Sequence, residues 1–177
     1  VEITAPADGA VFNENEAVSF NGLVSDPDED AENLAIQWSS SIDGIFSSAP
    51  ANSSGETSAT AYGLFIGNHT ITLKATDSNG EEESASIDIR INDLPTEPDV
   101  SITPDPPQSD ETLSLNIITD SQDMEGDPIT YSIVWKQNGS ATSNTGNTLG
   151  ASNATRGESW TVEVTPNDGY GDGATGS

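Results

Sequence analysis

The chain has no cysteine, a single histidine and only four basic residues among 177 positions. Without cysteine, neither disulfides nor thiolate metal sites can brace it. Lys74, Arg90, Lys136 and Arg156 stand against 30 acidic residues, for a formal net charge of −26 at pH 7. Such a field repels phosphate backbones and anionic headgroups, so nucleic acid and membrane surfaces are poor partners. It attracts cations. No apolar run approaches the roughly 18 residues that a membrane helix needs, and membrane insertion is not expected. No charged and apolar leader precedes VEIT, so any secretion signal has been removed or lies outside this stretch.

Hydrophobic residues make up only 32% of the chain, yet they fall in alternating runs, which is what folding needs. In VSFNGLV the residues Val18, Phe20 and Val24 share a face; in LAIQW it is Leu34, Ile36 and Trp38. HTITLKAT offers Ile71, Leu73 and Ala75, and SASIDIRI offers Ala85, Ile87, Ile89 and Ile91. Turn-rich pieces such as PADG, DSNG and NG lie between the runs, and no helical period is sustained anywhere. Short alternating strands with frequent turns predict an all-β chain built as sandwiches.

The pattern then repeats. Asp26 matches Asp123, Asp28 matches Glu125, Asp30 matches Asp127 and Trp38 matches Trp135, all at one offset, since 123 − 26 and 135 − 38 both equal 97. Two tandem modules are expected, over 1–93 and 99–177, with PTEPD in a linker at 94–98. The halves differ at their ends. After TDSNG comes SASIDIRI to close the first sheet; after TPNDG comes only YGDGATGS, with no alternation. The second sandwich is therefore expected to lack its last strand, which is either cut off or donated by a neighbouring chain.

Each half resembles the immunoglobulin-like sandwich repeats, of PKD and cadherin-like type, in large prokaryotic surface proteins. The residues that carry this are SDPDED…IQWSSSIDG with GNHTITLKATDSNG, and DMEGDPITYSIVW with GESWTVEVTPNDG. The resemblance implies two tandem antiparallel immunoglobulin-like β-sandwiches and an extracellular, surface-attached location. It implies a structural or adhesive role without catalysis. Neighbouring domains of a longer chain or identical protomers become the expected partners, with surface glycans as a further class. Two competing roles stay open: a subunit of an extracellular filament or surface layer, and a carbohydrate-binding accessory module of a secreted hydrolase.

The stretch SDPDEDAE packs five carboxylates, Asp26 to Glu32, into seven positions. In the topology that the resemblance implies, this loop feeds the Trp strand at the same pole as the hairpin TDSNG. Asp26, Asp28, Asp30, Glu32 and Asp77 would then converge, and so would Asp120, Asp123, Glu125, Asp127 and Asp168 in the second half. Calcium takes six to eight hard oxygens at flexible geometry, and would offset the repulsion of such a group. These loops are not EF-hands, which need Gly at the sixth position and Glu at the twelfth; from Asp26 those positions hold Ala31 and Gln37. The alternative is a solvated acidic surface suited to high salt. Asn92, Asp93, Glu97 and Asp99 lie at the junction of the repeats, as the calcium ligands between cadherin repeats do, so the resemblance also implies a calcium-stiffened hinge.

Other chemistry is thin. His69, beside a turn in GNHT, is expected to be an ordinary exposed residue, because a hydrolase triad would need a nucleophile and a buried acid next to it. Trp38, Trp135 and Trp160 are expected in the core. Four glycosylation sequons occur, at Asn52, Asn68, Asn138 and Asn153, all in expected loops or turns.

Overall fold

The computed structural model describes residues 1–105 and 111–177. The chain divides into two compact units, Val1–Asn92 and Asp93–Ser177. Both are built from strands; the described residues hold only two short 3-10 turns, Ala31–Asn33 and Ala151–Asn153. No described helix is long and apolar enough to cross a membrane.

Unit 1 runs through β1 (Glu2–Ala5), β2 (Ala10–Asn13), β3 (Val18–Leu23), β4 (Ala35–Ser40), β5 (Gly44–Ser47), β6 (Glu56–Ala61), β7 (Gly67–Thr76) and β8 (Glu82–Asn92). One sheet has the order β1-β3-β6 and the other β2-β8-β7-β4-β5, with β2 parallel to β8 and the other pairs antiparallel. The alternation in sequence turns one face of each sheet inward. Val18 and Phe20 of β3 and Trp38, Ile71 and Leu73 of β4 and β7 are fully buried. Phe20 sits between two rings, its centroid 5.8 Å from Trp38 and 5.3 Å from Phe46. Such tilted pairs add to the burial of area.

Unit 2 holds β9 (Asp99–Thr103), β10 (Leu113–Thr119), β11 (Thr130–Gln137), β12 (Ser140–Ala141), β13 (Thr148–Leu149) and β14 (Trp160–Asn167). Its sheets have the orders β13-β10-β9 and β12-β11-β14. Leu113, Trp135, Leu149, Val162 and Val164 form its smaller core. Trp38 lies opposite Leu73, and Trp135 lies opposite Val162, so the two Trp strands meet their neighbours in the same register.

Two expectations need correction here. The piece expected as a linker, 94–98, belongs to the second unit: Thr96 N–H donates to the Gln122 carbonyl at 2.8 Å, and Gln122 N–H donates back to the Thr96 hydroxyl at 2.7 Å. The tail after TPNDG does pair with β14, antiparallel, through Val164 with Gly176 and Asn167 with Asp172. Period-two reading misses it because small residues form it. A Cβ at Gly173 or Gly176 would collide with the backbone carbonyls of Pro95 and Pro98. The tail can lie there only without side chains.

Candidate functional site

The β3–β4 loop of unit 1 folds around Asp26. Its Oδ1 accepts the N–H groups of Asp28 and Glu29, both at 3.0 Å, a local turn that a short acidic side chain makes well. The Asp28 N–H bond holds the Asp26 carboxyl below its ordinary value of 3.8. Asp28 is pushed the other way, first by a side-chain hydrogen bond with Asp26 and then by the Asp26 charge. Across the pole, the β7–β8 hairpin is pinned by Asp77, whose Oδ1 accepts from Asn79 N–H at 3.0 Å and Glu81 N–H at 2.7 Å. Ser78 N–H donates to Glu29 at 2.8 Å and ties the hairpin to the loop. Asp26 and Asp77 border one hollow of about 320 Å³, so the expected meeting of these two elements takes place. Asp30 and Glu32 stand apart from it: Asp30 caps the Ala31–Asn33 turn, Glu32 rides on it, and both are exposed.

In unit 2, Asp123 Oδ1 accepts Asp127 N–H at 2.8 Å, while Asp123 Oδ2 is buried without a hydrogen-bond partner. Asp168, 4% exposed, accepts Tyr170 and Gly171 N–H at 2.7 Å each. Glu125 reaches the Asp93 N–H at 3.2 and 3.3 Å through its two oxygens. Asp120 is exposed and contributes its carbonyl to the Gln122 side chain.

Most of these carboxylates are thus committed to backbone N–H groups of their own loops. Among the described residues, no group of three or more His, Asp or Glu side chains stands close enough together to hold a metal ion. The fit to calcium is poor in unit 1, where Asp26 and Asp77 are already occupied as acceptors. It is better in unit 2, where Asp123 keeps one buried oxygen with nothing to accept from; a buried acceptor left so costs roughly 1–3 kcal/mol.

His69 overturns its expectation. It is 1% exposed, and a serine and an aspartate lie beside it. Ser40 Oγ is 2.8 Å from Nδ1 and 3.1 Å from Asp43 Oδ2, and Asp43 is itself 3.3 Å from Nδ1. The arrangement is inverted for nucleophilic catalysis, which needs the serine on Nε2 and the acid on Nδ1. Here Nε2 lies 2.6 Å from the Phe65 carbonyl, which can only accept, so Nε2 carries the proton of the neutral ring. Ser40 is only 5% exposed and its oxygen also accepts Ile42 and Asp43 N–H. The network clamps the β4–β5 turn to the β6–β7 loop. The spacing of Ser40, Asp43 and His69 carries no signal of it; burial by the loop at Phe65 creates it.

Trp38 and Trp135 are fully buried, whereas Trp160 is half-buried and borders a groove. All four sequon asparagines are exposed. Asn52 already spends its amide on Glu56 at 2.8 Å, and Asn138 adopts φ 51° while accepting Ser159 N–H.

Residues 3–90 match the family model of a bacterial Ig domain. The match covers all but a few residues of unit 1, whose two sheets have the pairing of an immunoglobulin-like sandwich. No curated protein matches the sequence. Among solved structures, the chain is similar to fibronectin(III)-like modules of Clostridium thermocellum CbhA, at 14% identity and a TM-score of 0.45, over 98% of this chain and 88% of that one. A 1.5-MDa bacterial ice-binding adhesin is similar at 19% identity and a TM-score of 0.46, over 94% of this chain and 58% of that one. Murine CEACAM1b follows at 13% identity and a TM-score of 0.38, over 93% and 92%. At these identities, no ligand or partner passes from those proteins to this chain.

Proposed function

We propose that the chain is a non-catalytic structural or adhesive segment of a secreted or surface-attached bacterial protein. The observation that carries this is the match of residues 3–90 to a bacterial Ig domain. The inverted Ser40–His69–Asp43 network agrees with it, since the one arrangement resembling a catalytic site faces the interior. A surface location suits a polyanion of net charge −26 that has no cysteine to lose or gain. Calcium is part of the reading: held by Asp123 with Glu125, Asp127 and Asp168 as the further oxygens, it would neutralise the loop and stiffen unit 2. Extracellular modules bind calcium at roughly 10⁻⁴–10⁻³ M, where it acts as structure.

Location is tested in the source cells. An antibody raised against this chain should label them intact. Labelling that appears only after the cells are opened would remove the proposal.

A further inference from the structure

Unit 2 has an unfilled place beside β14, and unit 1 shows what belongs there. Because Trp38 faces Leu73 and Trp135 faces Val162, Leu73 corresponds to Val162 and, two residues back, Ile71 corresponds to Trp160. In unit 1 the far side of Leu73 and Ile71 is covered by Ala85 and Ile87 of β8, and β8 continues inward with Ile89 and Ile91, each 2% exposed. In unit 2 the tail pairs with β14 only from Val164 to Asn167. Among the described residues, none pairs with the outer edge of Val162 or Trp160.

The backbone there is directed outward. Val164 exchanges two hydrogen bonds with Gly176, at 2.9 and 3.0 Å. In an antiparallel ladder the bonding direction repeats every second residue, so Val162 N–H and C=O point to the same edge. Trp135 confirms it from the other side, since its carbonyl takes Thr142 N–H at 2.8 Å and its N–H turns to Asn144. Beside this edge lies a groove of about 480 Å³ whose walls are Val100, Ile102, Trp160 and Val162, with Glu158 and Asp105 also lining it.

We propose that this groove is an acceptor site for an extended segment of another polypeptide, laid antiparallel to β14. The occupant's chemistry is set by the site. It carries aliphatic, β-branched side chains at alternate positions to fill the slot, as Ile87, Ile89 and Ile91 do in unit 1. Its N–H and C=O groups continue the ladder past Val162. A basic residue on the outward face suits Glu158, whose carboxyl is held below its usual range by the Thr155 N–H. The slot is independent of the acidic loops and of calcium.

The full chain is titrated with a synthetic peptide SASIDIRI, the segment that performs this role in unit 1. Trp38 and Trp135 are fully buried, so a change in fluorescence reports Trp160. Saturable binding is expected, with exchange of the Val162 amide slowed by about tenfold or more. The same peptide with serine for its isoleucines should not bind, and W160A should weaken binding while W160F preserves it. An unchanged Val162 amide, or equal binding of the serine peptide, would overturn the proposal.

Discussion

At the scale of single residues, charge is managed by local donors. Asp26 gains two N–H bonds and is held low, whereas Asp28 is pushed up by its hydrogen bond with Asp26 and by the Asp26 charge. A raised value means that the folded protein holds the Asp28 proton more tightly than the unfolded chain does. Ionised Asp28 therefore costs stability at neutral pH, and the cost disappears as pH falls below the ordinary 3.8. D28N should raise the melting temperature at pH 7 in chelator and change nothing at about pH 3. A drop at pH 7 in chelator would mean that Asp28 has a favourable partner. His69 belongs to the same scale. A histidine beside a turn reads as exposed in one dimension, and no spacing rule places Ser40, 29 residues earlier, on its Nδ1. S40A leaves that nitrogen and the Ile42 and Asp43 amides short of a partner, and should cost about 1–3 kcal/mol in urea unfolding. A neutral result would show that water replaces the hydroxyl.

At the scale of elements, the sequence was legible wherever alternation was strict. The inward sets of β3, β4 and β7 are all buried as their period of two requires. The matching offset of Asp26 and Trp38 with Asp123 and Trp135 also survives, as equal register against β7 and β14. What stayed illegible was structure made without side chains. The tail at 172–176 pairs with β14 because Gly173 and Gly176 can press against Pro95 and Pro98, and glycine has no place in a hydrophobic pattern. G173A should therefore lift the tail, free the Val164 amide to exchange faster, and cost about 1–3 kcal/mol by overpacking. An unchanged Val164 amide would mean that the close approach at Gly173 does not hold the tail.

At the scale of the whole molecule, the question is whether its charge is met by one bound ion or by a diffuse cloud. Few cations of its own are available: Lys74 pairs with Glu82 at 2.8 Å and Lys136 with Glu163. Melting curves in calcium and in chelator, at matched ionic strength, separate the two. A site gains about 2.7 kcal/mol at one hundred times its dissociation constant. The calcium-induced rise should vanish in D123N, which keeps the Oδ1 that Asp127 needs, and persist in D26N. Stability that follows total salt in all three proteins would assign the acids to a solvated surface. Sequence alone left this choice open, because it counts carboxylates without showing which oxygen lacks a donor.

The interior placement of His69 also makes the protein its own instrument. As the single histidine, it gives one set of imidazole resonances, and those resonances belong to unit 1 alone. Trp160, half-buried where the other two indoles are fully enclosed, offers an optical signal that belongs to unit 2. Heating one sample while following both would give each half its own melting curve, with the chain uncut and unlabelled.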